Sequence, residues 1–329
     1  MLYDNHGRPL NYLRLAVTDR CNLRCFYCMP IKGVKYLPKD QLLTYEEMER
    51  TVKVMASMGI TKVRITGGEP FVRQGLMDFM WRLREIKGLE EINLTTNGVL
   101  TGPYIPELKR LGISSVNLSL DTLNKESFYK ITYKDELEKV LDSMQQLLAY
   151  NIPVKINAVV MEGKNTDQLQ PLIELTKNNK VDLRFIEEMP FNGSGQYYTR
   201  LQWDHVKILE SIKSLYPDLQ KAKDPTSSTA YNYSIPGHKG KVGIIAAFSR
   251  TFCGTCNRVR LTSEGKLKTC LYDEGVLDLK KVLREGVSDE SLKQLFLQVF
   301  NYRAKNGFEA ESRRTLSAGV SESMSTIGG

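Results

Sequence analysis

Short segments in which apolar and polar residues alternate recur through the first 190 positions. They fall at residues 12–18, 62–66, 91–96, 115–121, 154–160 and 182–189, and a period of two predicts strands. Segments of helical character lie between them, at 45–58, 75–87, 103–111, 125–150 and 166–178. Thr44 and Glu47 form a capping-box pattern, and Gly59 stands where that first helix should stop. Six βα units in succession predict a parallel sheet with right-handed crossovers. Their number and spacing predict an α/β fold: a partial (β/α)6 TIM-type barrel.

The alternation adds a second expectation. Parallel strands covered on both faces usually read as unbroken apolar runs. Here Leu13, Leu15 and Val17 oppose Arg14, Ala16 and Thr18, and Val63 and Ile65 oppose Lys62, Arg64 and Thr66. Val116, Leu118 and Leu120 oppose Asn117, Ser119 and Asp121; Val154 and Ile156 oppose Lys155 and Asn157; Leu183 and Phe185 oppose Arg184. With helices outside, the apolar set faces them and the polar set faces inward. A closed barrel fills its interior with branched apolar side chains. This one would carry Arg14, Arg64, Lys155 and Arg184 there. Unpaired buried charge is costly, so the interior should be wet or hold an anion.

The pattern changes after residue 190. Gly, Ser, Pro and Tyr are frequent at 191–195 and 224–243, with helical stretches at 203–215, 277–285 and 289–305. Residues 1–190 are therefore expected to form the barrel. Residues 191–329 are expected to form a C-terminal module packed across its open side.

Composition narrows the setting. The 329 residues are 41% hydrophobic with a net charge of +8. No apolar run reaches the roughly 18 residues of a membrane span, and the N-terminus does not read as a secretory signal. A cytoplasmic location is expected. The basic balance is compatible with a solvated surface, with nucleic acid, or with a small polyanion in a cleft.

All six cysteines lie in two trios. Cys21, Cys25 and Cys28 have the spacing C-x3-C-x2-C; Cys253, Cys256 and Cys270 follow as C-x2-C-x13-C. In a long unsecreted chain such clusters read as metal or redox sites, not as a disulfide framework. Structural zinc takes four ligands, and with only three histidines in the chain the first trio has no close fourth. Cysteine thiolates are the usual ligands of [4Fe–4S] clusters, and three of them leave one iron open. Zinc remains an alternative on spacing alone, most of all for the second trio. Just beyond Cys256, Arg258 and Arg260 share one face of an extended segment. Arginine forks suit phosphate oxygens.

The string Cys21-Asn-Leu-Arg-Cys25-Phe-Tyr-Cys28 after a first strand, followed by Thr66-Gly-Gly-Glu-Pro70 after the second, resembles the radical S-adenosylmethionine (SAM) superfamily. The segments Leu-Arg14-Leu-Ala-Val-Thr-Asp-Arg-Cys21, Met29-Pro30, Leu-Thr95-Thr-Asn-Gly98, Arg184-Phe-Ile-Glu, Cys253-x2-Cys256-x-Arg258-x-Arg260 and Ile-Gly328-Gly329 extend the resemblance. Over nearly the whole chain it is similar to the GTP 3′,8-cyclase family.

The resemblance implies two [4Fe–4S] clusters, one per trio, and SAM on the open iron of the first. It places Tyr27, Gly68, Ser119 and Met189 against SAM, although Met189 taken alone reads as core. It places Arg14, Arg64, Thr95, Lys155, Arg258 and Arg260 against GTP, with Arg184 as a further candidate, and sends the Gly328-Gly329 tail into the site. The implied reaction abstracts hydrogen from ribose carbon 3′ of GTP and closes a bond to guanine carbon 8. A one-electron donor, hand-off to a cyclic pyranopterin monophosphate synthase, and a monomer or homodimer are expected; nucleic acid and membrane are not. The competing readings are a radical SAM peptide-modifying enzyme, which the cysteine count and paired arginines disfavour, and a zinc-bearing nucleic-acid binder, which would show a basic surface patch interleaved with aromatics.

Overall fold

The computed structural model describes residues 1–29, 36–191, 201–314 and 322–328. Pro30, Gly329 and residues 31–35, 192–200 and 315–321 lie outside the described residues. Six strands occupy the expected places: β1 (Tyr12–Ala16), β2 (Lys62–Thr66), β3 (Glu91–Thr96), β4 (Ser115–Ser119), β5 (Val154–Val160) and β6 (Val181–Glu187). They pair side by side, all parallel.

The connecting helices are α1 (Tyr45–Met58), α2 (Leu76–Arg84), α3 (Ile105–Leu111), α4 (Lys125–Thr132), α5 (Leu137–Ala149) and α6 (Leu169–Asn178). The α1 capping box forms in both directions between Thr44 and Glu47, and Gly59 ends the helix at φ 117°. The single helix expected over 125–150 is two. Tyr133 caps α4 in the left-handed region at φ 54°, and α5 restarts four residues later. A non-glycine stop of this kind leaves little trace in sequence.

The C-terminal part contributes more to the sheet than its composition predicts. Its strands are β7 (Gln220–Lys221), β8 (Ala230–Ser234), β9 (Lys241–Ile245), β10 (Arg258–Leu261), β11 (Lys266–Lys268) and β12 (Leu277–Asp278). The sheet order is β12-β11-β10-β1-β2-β3-β4-β5-β6-β9-β8-β7. Strands after residue 190 thus extend the sheet at both edges. β10 joins β1, and β9 joins β6, in parallel. The result is an open, mixed twelve-stranded α/β sheet, not a closed barrel. One large apolar core unites the helices with the outward residues of the strands, among them Leu13, Val63, Leu94, Val116, Ile156 and Leu183.

Candidate active site

Strand register fixes which side chains share the other face. In parallel pairing, laterally matched residues point the same way. Arg260, Arg14, Arg64, Asn93 and Ser115 form one row across β10, β1, β2, β3 and β4. Thr95, Asn117, Lys155 and Asp182 form a second, and Ser119, Asn157 and Arg184 a third. Arg258 lies beside Tyr12, one step from the first row. The alternation therefore identified the inward set correctly, and β10 brings the two late arginines onto the same face.

This face is short of negative charge. Two unit charges ~4 Å apart interact by about 4 kcal/mol at an effective dielectric constant of about 20, so neighbouring cations strain one another. Burial, then Arg260, pull the Arg14 guanidinium well below its usual range. Burial, then Arg258, bring Arg260 down to about 10. Burial, then Arg184, bring the Lys155 amine down to about 8. Thr95 Oγ1, Arg184 Nε and Arg258 Nε are buried without a hydrogen-bond partner among the described residues. These orphaned groups and crowded cations fit an anionic, oxygen-rich ligand. Arg64 differs: it donates to the Tyr12 hydroxyl (2.6 Å), the Leu94 carbonyl (2.7 Å) and Ser115 Oγ (3.4 Å). It is committed to the protein more than the others.

The first trio sits on the loop leaving β1. Gly67 and Gly68 let the β2 loop lie against it. A Cβ on Gly67 would fall 2.5 Å from the Thr18 carbonyl oxygen, and one on Gly68 2.2 Å from that of Arg20. The Gly68 and Glu69 amides donate to those same carbonyls at 2.9 and 2.8 Å. Glu69, fully buried, accepts from Thr96 Oγ1 and from the Asn97 amide at 2.7 Å. The Asn97 side chain in turn donates to Asn22 Oδ1 (2.8 Å) and toward Cys21 Sγ (3.6 Å). Burial lifts the Glu69 carboxyl to about 7 against these donors. On the other side the Tyr27 hydroxyl donates to Asp121 Oδ2 at 2.8 Å. Glu69, Asn97 and Asp121 are positioning residues that the sequence reading quoted within motifs without giving them a role.

The two trios differ electrically. Burial lifts Cys21 to about 11 and Cys28 to about 12, and raises Cys25 strongly; Cys21 and Cys28 also oppose ionisation of Cys25. Each of the three is therefore held as the neutral thiol unless a cationic centre offsets the cost of its charge. In the second trio burial raises Cys256, yet Arg258 and then Arg303 overcome it and bring the thiol down to about 6. Cys253, Cys256 and Cys270 line one small cavity with Arg8 and Arg303. Among the described residues no three His, Cys, Asp or Glu side chains are arranged to hold a single metal ion. A cluster makes a different demand, because each thiolate takes a separate iron. Three thiols in each trio are donors of the kind a cluster takes.

The chain end bridges the two trios. Ser323 Oγ donates to the Cys28 carbonyl at 2.6 Å, and Arg260 donates to the Gly328 carbonyl at 2.7 Å. A Cβ on Gly328 would meet Thr66 Oγ1 at 2.4 Å and Ala16 Cβ at 3.2 Å. Gly328 therefore lies flat on the polar face of β1 and β2, where any side chain would collide. Met189 packs in a small apolar cluster with Phe191, Tyr272, Ile327 and Met324, beside Cys270. Ser119 faces inward in the third row. A larger hollow of about 310 Å³ is lined by residues 224–231 with Thr251, Phe252 and Thr255; Arg258 lies over the Phe252 ring at 5.0 Å.

The chain also resembles known proteins along most of its length. Residues 15–176 match the Radical SAM superfamily model and residues 181–308 the Molybdenum Cofactor Synthesis C model. The chain is 43% identical over 290 residues to the GTP 3′,8-cyclase of Peptoclostridium acidaminophilum, covering 87% of this chain and 88% of that protein. It is 42% identical over 312 residues to the GTP 3′,8-cyclase of Clostridium perfringens strain 13, covering 94% and 96%. Molybdenum cofactor biosynthesis protein 1 of Homo sapiens is 40% identical over 296 residues, covering 89% of this chain and 46% of that longer protein. Among solved structures, Streptococcus suis SuiB bound to S-adenosylmethionine superposes with a TM-score of 0.61 at 14% identity, covering 87% of this chain and 68% of that one; that likeness concerns the fold alone. By sequence the chain belongs to the GTP 3′,8-cyclase family.

Proposed function

We propose that this chain cyclises GTP to (8S)-3′,8-cyclo-7,8-dihydroguanosine 5′-triphosphate, the first step of molybdenum cofactor biosynthesis, using SAM and two [4Fe–4S] clusters. The observation that carries the reading is one sheet face crowded with cations and bracketed by two cysteine trios. Cys21, Cys25 and Cys28 would hold one cluster, and Cys253, Cys256 and Cys270 the other. When bound, the first cluster and SAM supply a 5′-deoxyadenosyl radical for hydrogen abstraction.

The protein's part is binding, orientation and exclusion of water. Arg14, Lys155, Arg258 and Arg260 neutralise the triphosphate, Thr95 donates a hydrogen bond, and Arg184 joins them through its orphaned Nε. Arg64 supports the same field from its bonded position. Against SAM, the Gly68 amide already serves Thr18, so the Gly68 carbonyl is the group left for the SAM amine. Ser119, Met189 and the backbone at Tyr27 complete that side. The Gly328 strap shuts the site between the trios. On this reading β1 to β6 are a partial (β/α)6 barrel (residues 1–190), and residues 191–329 a C-terminal module over its opening. Among the described residues no helix is long and apolar enough to cross a membrane; we place the enzyme in the cytoplasm. It takes an electron from a one-electron donor, acts as a monomer or homodimer, and passes its product to a cyclic pyranopterin monophosphate synthase.

The test is the pH dependence of GTP binding. Lys155 titrates at about 8 in the free protein, lowered by burial and Arg184. Phosphate favours its charged form, so its pKa rises on binding and the complex takes up a proton above pH ~8. GTP affinity should be fully present below pH 8 and fall above it, by at most about tenfold per pH unit. In Lys155→Arg, which stays charged, the Lys155 share of this fall should vanish, leaving the titrations of the nucleotide and of the Tyr12 phenol, which Arg64 and Arg14 bring down to about 8 against burial. Equilibrium dialysis at pH 7, 8 and 9 reads both. Identical profiles for the two proteins would remove Lys155 from the phosphate site.

A further inference from the structure

Arg303 lies outside every motif discussed above, in the stretch 289–305 that the sequence reads as an amphipathic helix; the helix ends at Phe300 and Arg303 stands just beyond it. Its side chain is 3% exposed. Its guanidinium donates to five acceptors: the Thr269 carbonyl (3.0 Å), the Cys256 carbonyl (2.9 Å), Cys256 Sγ (3.1 Å), the Arg258 carbonyl (2.9 Å) and Asp4 Oδ2 (3.1 Å). One planar group thus ties Cys256, the residue preceding Cys270, the strand carrying the paired arginines, and the N-terminal segment. The neighbouring Arg8 is built alike and shares Asp4 (2.7 Å), but donates otherwise to the carbonyls of Cys253, Ala304 and Lys305 and to no sulfur. His6 Nε2 lies 2.9 Å from the Arg303 carbonyl, which pins the backbone on which the guanidinium stands.

We propose that Arg303 is a positioning residue for the second cysteine trio: its fork fixes Cys256 and, by hydrogen bonding the sulfur, makes the iron that Cys256 holds a stronger acceptor for the substrate. The proposal rests on the reading that this trio holds a cluster facing GTP. A donor on a thiolate ligand withdraws electron density from the metal, and such supporting contacts typically change affinity or activity by roughly 10–100-fold when removed. The sulfur contact also favours the reduced cluster's extra negative charge, so its loss shifts the reduction potential downward. Arg8 supplies the matched control: equally buried, tied to the same carboxylate, without the sulfur contact.

The experiment uses the full chain, reconstituted anaerobically, as wild type, Arg303→Gln, Arg303→Lys and Arg8→Gln. Four quantities are read: iron and sulfide content, thermal unfolding, the potential of each cluster by spectroscopically monitored redox titration, and the dissociation constants of GTP and SAM without turnover. Both Arg303 variants should weaken GTP binding by roughly tenfold or more and shift only the second cluster's potential downward, with SAM binding unchanged. Arg303→Lys keeps the charge but not the planar fork, so it should fail as well; this variant decides the matter if Arg303→Gln folds poorly. Arg8→Gln removes the same charge from the cavity and a bond to the Cys253 carbonyl, but no sulfur contact, so it should shift the second cluster's potential less than Arg303→Gln. An unchanged potential and GTP affinity in Arg303→Lys, or an equal shift in Arg8→Gln, overturns the proposal. A wild-type chain that carries no second cluster overturns the underlying reading instead, and the iron content separates the two failures.

Discussion

Cys270→Ser is expected to lose GTP binding by more than about a hundredfold while retaining SAM binding. Removing a metal ligand should exceed the roughly 10–100-fold cost of losing a supporting contact. The effect stays local because Cys270 is held from its own side of the fold. Its amide and the Thr269 amide both donate to Asp273 Oδ2 at 2.8 Å, and Arg303 holds the Thr269 carbonyl. The first trio is flanked instead by Glu69, Asn97 and Asp121, in the loops that follow β2, β3 and β4. Dialysis of GTP and of SAM against the reconstituted variant measures the two affinities separately. Equal loss of both ligands would contradict the division of labour between the trios.

Gly68→Ala is expected to act on the opposite half. The added methyl would stand 2.2 Å from the Arg20 carbonyl oxygen and 2.6 Å from its carbon. Both are backbone atoms, so no side chain can swing aside. Relief requires the loop carrying Cys21 to move, which breaks the amide contacts of Gly68 and Glu69 to Thr18 and Arg20. A displacement of about 1 Å at a reacting centre costs on the order of a hundredfold in rate. Formation of 5′-deoxyadenosine from SAM, dithionite and GTP should therefore fall by about that factor or more. GTP binding at the second trio should persist. Wild-type 5′-deoxyadenosine formation in Gly68→Ala would show that the loop does not depend on this close approach.

Much of the site was legible in the sequence because it is written in short periods. Alternation in β1, β2, β4, β5 and β6 assigned Arg14, Arg64, Lys155 and Arg184 to one face, and strand register puts them there. Arg258 and Arg260 followed the same rule on β10. What escaped the sequence depends on contacts distant along the chain. Arg303 meets Asp4 and Cys256 only after folding. Glu69 becomes a buried anchor only when β3 lies beside β2. The β8–β9 hairpin hides in a stretch rich in Gly, Ser, Pro and Tyr, where Gly243 breaks the apolar run yet gives the Arg184 side chain room, its nearest Cγ lying 3.4 Å from where a Cβ would stand. The sheet's extension at both edges was missed for the same reason: β9 and β10 are short and borrow their stability from β6 and β1.

Arg64 refines the expected phosphate set. Its three hydrogen bonds to Tyr12, Leu94 and Ser115 make it as much a strut of the polar face as a ligand. Tyr12 responds to it: burial would raise the phenol, but Arg64 and Arg14 bring it down to about 8. The face thus gathers enough positive charge to ease ionisation of a buried phenol, a field that suits a polyanionic substrate.

The most direct measurement is product analysis after anaerobic incubation of the reconstituted chain with dithionite, SAM and GTP. Equal amounts of 5′-deoxyadenosine and a 3′,8-cyclised guanosine triphosphate are predicted, both dependent on all three reagents. With both clusters intact, the absence of the cyclised product would contradict the account.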